Sequence, residues 1–220
     1  MVKVIISGYG RMGHMVEKEL LRRGIPVVDR SEDIRSVEPS VAAECVCIDF
    51  TTPAAFRENY PFIAANFKAA VVGTTGWDDI REDVFKAFES KGCTLVYSSN
   101  FSLGVNALFA AAAKVSSMLK GAGYTPAIEE IHHVHKLDAP SGTAVTLAGI
   151  VRDGLGSEPA ISSVREGEVP GIHTLTLESG FDRLTLSHEA FSREGFAAGA
   201  VLAAILTESL SGIHSFSELL

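Results

Sequence analysis

A short polar segment in the middle of the chain carries side chains suited to acid–base chemistry. Three of the seven histidines, His132, His133 and His135, lie within four residues, and Lys136 follows them directly. Histidine exchanges protons near neutral pH, and the lysine ammonium can bind a carboxylate or donate a proton. In an extended segment His133 and His135 would share one face, and His132 would share the other with Lys136. The segment therefore predicts a proton donor beside a cation.

The residues that follow are typical of an anion site at the start of a helix. Pro140 and Ser141 introduce a predicted helix with Ser141 as its N-cap, and Gly142 and Thr143 lie in its first turn. The amides of such a turn and the Thr143 hydroxyl would bind an anion. Two other interpretations remain open. Clustered histidines can be metal ligands, although no compact metal motif completes this cluster, or they can simply be packed or surface residues.

A glycine-rich turn near the start of the chain is typical of a dinucleotide site. Gly8, Gly10 and Gly13 form G-x-G-x-x-G between a predicted strand, 2–7, and a predicted helix, 11–23. The first glycine permits the tight turn, the second lets a pyrophosphate approach the backbone, and the third lets the helix pack closely on the strand. We expect this turn to bind a nicotinamide dinucleotide. The other interpretation is a tight turn with incidental glycines.

The acidic residue of such a site is predicted to be Asp29, about 20 residues beyond the turn and at the end of a second strand, 25–29. Its carboxylate would accept hydrogen bonds from the adenosine ribose, which favours NADH. Arg30 beside it and Arg11 in the turn would instead contact the 2′-phosphate of NADPH. The residues leave both cofactors open.

Two further polar stretches, 49–53 and 73–76, follow predicted strands. Ligands of open α/β sheets bind outside the carboxyl ends of the strands. We therefore expect Thr74 and Thr75 to line the nicotinamide end of the site, although both are equally typical of an ordinary turn.

The element pattern changes near Asn100. Before it, predicted strands and helices alternate, which indicates a parallel sheet covered by helices. Beyond it, the pattern predicts an α+β region with an open, mostly antiparallel sheet. Its predicted helices are 103–119, 141–153 and 193–210, and its predicted strands are 127–134, 161–169, 174–178 and 183–188.

Composition narrows the function classes. The net charge of −8 argues against an extended groove that binds nucleic acid. Three cysteines form no disulfide framework, and no apolar stretch approaches the ~20 residues of a membrane span. The apolar run at the start is too short for a signal peptide. We expect a cytoplasmic enzyme with a small-molecule substrate and no nucleic-acid or membrane partner.

Six sequence blocks resemble the dihydrodipicolinate reductase family, in the family's order. The block His132–Thr143 is highly specific to that family, whereas the glycine turn alone is not. The other blocks are 8–13, 49–51, 73–76, 99–106 and 188–193. The chain departs from the family in a glycine turn one residue shorter than the commoner form, and in a short segment between Arg30 and Cys45.

The resemblance implies a role for each matching residue. His132 would be a proton donor and acceptor, and Lys136 a proton donor, in hydride transfer to C4 of a cyclic imine dicarboxylate. Substrate contacts would come from His133, Gly142, Thr143 and Arg193. Cofactor contacts would come from Gly8, Tyr9, Gly10, Arg11, Met12, Asp29, Arg30, Phe50, Gly73, Thr74, Thr75, Ser98, Ser99, Asn100 and Phe101.

The resemblance also implies an α/β fold with two domains. Residues 1–100 plus 194–220 would form a Rossmann-type dinucleotide-binding domain, and residues 101–193 an α+β substrate-binding and oligomerisation domain. The activity would be an NADH- or NADPH-dependent reduction in lysine and diaminopimelate biosynthesis, in a homotetramer without a metal ion. The alternatives are another NAD(P)-dependent dehydrogenase on the same fold, a non-catalytic dinucleotide sensor and a metal-dependent hydrolase.

Overall fold

The structure, a computed structural model, describes residues 2–220. The chain divides into two units. Unit 1 contains the residues up to Ser102 together with Glu194–Leu220, and unit 2 is Leu103–Arg193. Among the described residues, no helix combines the length and hydrophobicity needed to cross a membrane.

Unit 1 is a parallel sheet with helices on both faces. The strands are β1 (Val4–Ser7), β2 (Val27–Ser31), β3 (Val46–Asp49), β4 (Ala69–Val72), β5 (Thr94–Tyr97) and, after four strands in unit 2, β10 (Ile213–Ser215). They lie in the order β2-β1-β3-β4-β5-β10, and all neighbours are parallel. β1, β3 and β4 are buried along their whole length, as expected of apolar strands covered on both faces.

Two hydrophobic clusters fill the faces of this sheet. The helices are α1 (Arg11–Arg22), α2 (Pro39–Ala42), α3 (Pro53–Asn66), α4 (Arg81–Lys91) and, after two helices in unit 2, α7 (Glu194–Leu206). Leu20 of α1 and Val201 of α7 pack on one face, and Phe56 of α3 and Phe88 of α4 pack on the other. β2 and β3 flank β1 on opposite sides, which makes the loop after β1 the place where such sheets bind ligands.

Unit 2 is a four-stranded mixed sheet with two helices on one face. Its elements are α5 (Leu103–Met118), β6 (Thr125–His132), α6 (Gly142–Leu155), β7 (Ala160–Arg165), β8 (Ile172–Glu178) and β9 (Arg183–Glu189). The strand order is β7-β6-β8-β9, with β6 and β7 parallel and the other pairs antiparallel. Leu108 of α5 and Leu147 of α6 pack against Ile128 and Leu175 of the sheet.

The predicted fold class is confirmed, because a parallel Rossmann-like sheet accompanies a mixed, mostly antiparallel one. Several predicted boundaries are wrong. Pro26 lacks a backbone N–H, and β2 is Val27–Ser31 rather than 25–29. The strand predicted over 127–134 ends at His132, and the one over 161–169 ends at Arg165. α2 and β10 were not predicted, because segments of three or four residues show no period.

Candidate active site

The glycine turn has the geometry that each of its three glycines was predicted to provide. Gly8 has φ +85°, and a Cβ there would lie 2.5 Å from the carbonyl oxygen of Phe50. A Cβ on Gly13 would collide with the carbonyl oxygen of Gly8. A Cβ on Gly10 would meet nothing within 4 Å, so the backbone is open at this position. Gly10 is also the N-cap of α1, so a phosphate can approach the free amides of the helix.

The end of β2 differs from the sequence prediction. Asp29 pairs with Ile5, and β2 continues to Ser31, whose carbonyl oxygen accepts a hydrogen bond of 3.0 Å from the Gly8 amide. The prediction that Asp29 ends the strand is therefore wrong. The first residue beyond the strand, beside the glycine turn, is the exposed Glu32. Glu32 is not among the predicted site residues, because the predicted strand begins and ends two residues too early.

Arg30 is paired with a carboxylate of α1. Its guanidinium binds Glu17, and the Tyr9 hydroxyl donates to the same carboxylate. A hydrogen bond from Arg30 and, to a smaller extent, one from Tyr9 lower the pKa of Glu17. The Tyr9 ring stacks on His14 with ring centroids 4.1 Å apart. Of the two arginines predicted to contact a 2′-phosphate, Arg30 is held by Glu17, and Arg11 lies exposed at the start of α1.

A buried carboxylate joins the end of β1 to the loops after β3 and β4. Asp49 is fully buried and accepts hydrogen bonds from the hydroxyls of Ser7 (2.6 Å), Thr51 (3.0 Å) and Thr74 (2.5 Å). The Thr51 amide donates to the Thr74 hydroxyl over 2.7 Å. Burial raises the pKa of Asp49, while the hydroxyl hydrogen bonds oppose that rise. Thr74 therefore organises the loops from inside, and its neighbour Thr75 is exposed.

The remaining cofactor candidates differ in what they expose. A side chain at Gly73 would collide with the ring of Phe50. Ser99 is exposed, whereas the Ser98 hydroxyl donates to the carbonyl oxygen of Asn100 over 2.8 Å. The Phe101 ring is buried in the core beside Phe216, so only its backbone is available to a cofactor. Met12 is half-buried and packs against the same core.

The histidine–lysine segment bends instead of continuing as a strand. His132 is the last residue of β6, and the Lys136 amide donates to the His133 carbonyl oxygen over 3.1 Å, which closes a turn. The alternating faces expected for an extended segment are therefore absent beyond His132. Lys136 Nζ binds both carboxylate oxygens of Asp138, at 2.7 and 2.9 Å. The His133 amide is held by the Val169 carbonyl oxygen over 2.8 Å.

A buried glutamate lies behind His132. β6 alternates exposed and buried residues, so Glu130 and His132 point to the same buried side. Glu130 Oε1 accepts hydrogen bonds of 3.1 Å from the Ser141 amide and from Arg165 Nη2. Burial favours the protonated form, but hydrogen bonds from Ser141, Ser163 and Arg165 outweigh it and lower the pKa of Glu130 to about 2. The carboxylate is thus ionised at neutral pH.

His132 and His173 complete this cluster. Glu130 Oε2 lies 3.1 Å from His132 Nδ1 and 3.8 Å from His173 Nε2. His173 Nε2 also lies 3.1 Å from the Ser141 hydroxyl. Burial is the main cause that lowers the pKa of both histidines, that of His173 to about 4. Both rings are therefore neutral near pH 7.

The same three residues resemble a set of metal ligands. Glu130, His132 and His173 each offer a ligand atom, and the three atoms lie within 4.8 Å of one another. The sequence indicates a metal site only at the clustered histidines. His173 is not part of that set, because only strand pairing places it opposite Glu130. Because the Arg165 guanidinium already binds this carboxylate, a metal cation here would meet a positive neighbour. The cluster favours proton transfer over metal binding.

The start of α6 has the Ser141 cap and the helical first turn that the sequence predicts. Ser141 is confirmed as the N-cap, because its hydroxyl accepts a 3.2 Å hydrogen bond from the Ala144 amide. Gly142 is exposed, with no atom near the position of a Cβ, and Thr143 is half-buried in the first turn. Arg193 is half-buried immediately before α7.

Arg165 is a further site residue that the sequence analysis missed. Its side chain donates to the carbonyl oxygens of Lys136 (3.3 Å) and Asp138 (2.6 Å) as well as to Glu130. It therefore fixes the bent loop that carries Lys136. The sequence contains a local indication of Glu130 as a site residue, because Glu130 lies two residues before His132 and so shares its face of the strand. Arg165 has none, because only the pairing of β6 with β7 brings it opposite His132.

Comparison with known families matches both parts of the chain. Residues 2–101 match the family described as dihydrodipicolinate reductase, N-terminus, and residues 104–220 match dihydrodipicolinate reductase, C-terminus. The two matches contain the glycine turn and the His132 cluster respectively.

Individual relatives agree with these family matches. A 4-hydroxy-tetrahydrodipicolinate reductase of Christiangramia forsetii is 36% identical over 233 aligned positions, covering 100% of this chain and 98% of the relative. One of Methanopyrus kandleri is 39% identical over 202 positions, covering 83% and 74%. The solved structure of a dipicolinate-bound dihydrodipicolinate reductase from Paenisporosarcina sp. TG-14 has a TM-score of 0.84 at 20% identity and full coverage of both chains, which supports the fold.

Proposed function

The chain belongs to the dihydrodipicolinate reductase family, and from this we propose that it reduces 4-hydroxy-tetrahydrodipicolinate to tetrahydrodipicolinate in lysine and diaminopimelate biosynthesis. It is an NAD(P)H-dependent oxidoreductase. The substrate loses its hydroxyl as water and gains a hydride at C4 and a proton. The observation that carries the proposal is that the family match spans both units, so one chain holds a dinucleotide turn and a proton-transfer cluster.

Unit 1 would hold the dinucleotide, which supplies the hydride when bound. The open backbone at Gly10 and the free amides of α1 fit a pyrophosphate. Glu32, beyond the end of β2, would accept the adenosine ribose hydroxyls in place of Asp29. We propose that NADH is preferred, because Glu32 would repel a 2′-phosphate and Glu17 neutralises Arg30. The remaining contacts would come from the backbone and exposed side chains of 73–75 and 98–101.

Unit 2 would hold the dicarboxylate substrate. The first turn of α6, with Gly142 and Thr143, would bind one carboxylate, aided by His133 and Arg193. Lys136 would leave Asp138 and donate a proton to the substrate. Nε2 of His132 would also exchange a proton with the substrate.

We further propose a cytoplasmic homotetramer built on the open face of the unit 2 sheet. This face, opposite α5 and α6, carries small and polar side chains, among them Ala127, Thr174, Thr176, Thr185 and Ser187. A face of four strands with such side chains can pack against a second sheet. The three cysteines are buried and free, as in proteins of a reducing compartment.

Lys136→Ala tests the proposed function. In a coupled assay that generates the heterocycle, the wild type should oxidise NADH, and the variant should lose kcat by about 10²–10⁴-fold if Lys136 is the general acid. Leu137→Ala, which changes an exposed side chain in the same loop, should keep wild-type kcat.

Three outcomes would contradict this proposal. Unchanged turnover in Lys136→Ala would remove Lys136 from the mechanism. A wild-type protein that binds NADH without oxidising it would be a dinucleotide sensor. A protein that oxidises NADH only with another amino acid or aldehyde substrate would be a different dehydrogenase.

A further inference from the structure

Two buried atoms, Glu130 Oε2 and His132 Nδ1, face each other 3.1 Å apart. The ring N–H is not aligned for a conventional hydrogen bond, and within residues 2–220 neither atom makes a hydrogen bond to another group. Oε2 also lies 3.8 Å from His173 Nε2, which is too far for a hydrogen bond. A carboxylate oxygen can only accept. The contact is therefore favourable only if the proton of the neutral imidazole is on Nδ1, which leaves the lone pair on Nε2.

Of the two ring nitrogens of His132, Nδ1 is fully buried without a hydrogen-bond partner, whereas Nε2 is not. A Cβ on Gly171 would lie 3.0 Å from Nε2, and Gly171 has φ +154°, so glycine is favoured there for its backbone and for the space it leaves. Nε2 is thus the atom that can exchange a proton with a substrate, and Nδ1 is the atom that Glu130 controls.

The other oxygen of Glu130 is fixed by two donors. The Ser141 amide and Arg165 Nη2 both donate to Oε1, so the carboxylate cannot rotate without losing two hydrogen bonds. Ser141 is the N-cap of α6, and Arg165 holds the carbonyl oxygens of Lys136 and Asp138. One carboxylate therefore connects the ring of His132, the loop of Lys136 and the anion-binding turn.

We propose that Glu130 is the positioning residue of the proton-transfer site: it sets the tautomer of His132 and, through Arg165 and Ser141, fixes the Lys136 loop and the start of α6. This inference rests on the proposed function of that site. When His132 accepts a proton at Nε2, the imidazolium forms opposite a carboxylate that is already in place. One proton moves between Nε2 and the substrate, and Glu130 itself stays ionised.

Glu130→Gln gives a prediction that a merely structural role would not. The two donors at Oε1 require the amide oxygen of the glutamine at that position, so its NH₂ group replaces Oε2 and faces His132 Nδ1. Nδ1 must then accept, and the proton moves to Nε2. The shape of the side chain is unchanged, but the tautomer of His132 is reversed.

The experiment combines kinetics with nitrogen NMR of the full chain. In ¹⁵N-histidine-labelled protein, with His132 assigned by comparison with His132→Asn, the wild type should show the Nδ1–H tautomer and Glu130→Gln the Nε2–H tautomer. kcat should fall by about 100-fold or more, while KM for NADH, which unit 1 binds, should stay within about threefold. Glu130→Asp keeps the carboxylate and should retain the Nδ1–H tautomer and part of the activity.

Glu158→Gln is the control, because Glu158 is an exposed residue after α6, outside both the proton-transfer site and the open face of the unit 2 sheet. It should leave tautomer and kcat unchanged. Wild-type kcat in Glu130→Gln, or an unchanged tautomer, would overturn the proposal. The proposal would also be overturned if elemental analysis found a metal bound to the wild type and a chelator abolished the activity. If the wild type does not reduce the heterocycle, the proposed function fails, but the tautomer comparison still tests the role of Glu130.

Discussion

Two acidic residues near the end of β2 show how strongly a role depends on strand register. Asp29 lies level with Ile5, inside the sheet, and its Oδ1 accepts a hydrogen bond of 2.8 Å from the Arg30 amide. Glu32 follows the strand, beside the turn that begins at Gly8. Because ligands of such sheets bind beyond the carboxyl ends of the strands, Glu32 is the better placed acceptor for a ribose.

Glu32→Gln should therefore weaken NADH binding more than Asp29→Asn does. Loss of a charged hydrogen-bond acceptor is expected to raise KM for NADH by about 10-fold or more, and removal of the negative charge should bring the NADPH and NADH activities closer together. The measurement is initial-rate kinetics with both cofactors for both variants. A larger effect from Asp29→Asn would return the role to Asp29.

The residues that sequence predicted well are those whose role is local. The positive φ of Gly8, the approach of Gly13 to the Gly8 carbonyl oxygen and the capping by Ser141 involve residues within a few positions of one another. Arg165 and His173 are not predicted from the sequence, because only the pairing of β6 with β7 and β8 brings them close to His132. A sequence alone gives no register for such pairs.

At the scale of elements, the polar contacts that hold the loops of unit 1 lie at the ends of its strands. Asp49 is the last residue of β3. Its carboxylate accepts hydrogen bonds from a hydroxyl at the end of β1 and from hydroxyls in the loops after β3 and β4. These are neighbouring strands of one sheet, so a single carboxylate keeps three loops at a fixed spacing. The sequence suggested that Thr74 lines the site, whereas the structure uses it to brace these loops.

Asp49→Asn should loosen this edge of the sheet. An amide group offers one acceptor and brings an NH₂ group toward hydroxyls that now donate, so the free energy of unfolding should fall by about 1–3 kcal/mol. KM for NADH should rise, and KM for the heterocycle should change little. Chemical unfolding and steady-state kinetics measure the two effects. Asp33→Asn, at an exposed ion pair with Arg35, is the control and should change neither. A fully stable variant with unaltered KM for NADH would show that the three loops hold their spacing without Asp49.

At the scale of the whole molecule, both helices of unit 2 pack on one face of its sheet, which leaves the opposite face without a helix of that unit. Across β6, β8 and β9 it presents Ala127, Thr176 and Thr185 in one register row. Small side chains permit a second sheet to approach closely.

Thr176→Arg should break the proposed tetramer. Sedimentation velocity of the wild type should give a mass about four times the 23.4 kDa of one chain, and the variant should give a smaller species. A charged side chain at the centre of this face would be buried without a partner on assembly. Thr146→Arg, on the exposed side of α6, should leave the mass unchanged. A wild-type monomer, or a tetrameric Thr176→Arg variant, would exclude this interface.

The composition of unit 1 from two distant parts of the chain has a consequence for biosynthesis. α7 and Phe216 belong to the same hydrophobic cluster as β1 and α1, and β10 completes the sheet beside β5. On the ribosome, the first hundred residues lack these core residues until all of unit 2 has been made. Unit 2 is continuous in sequence and can collapse in the meantime. We therefore expect closure of the dinucleotide-binding unit to be a late step of co-translational folding, and until then the sheet face that α7 covers is accessible to chaperones.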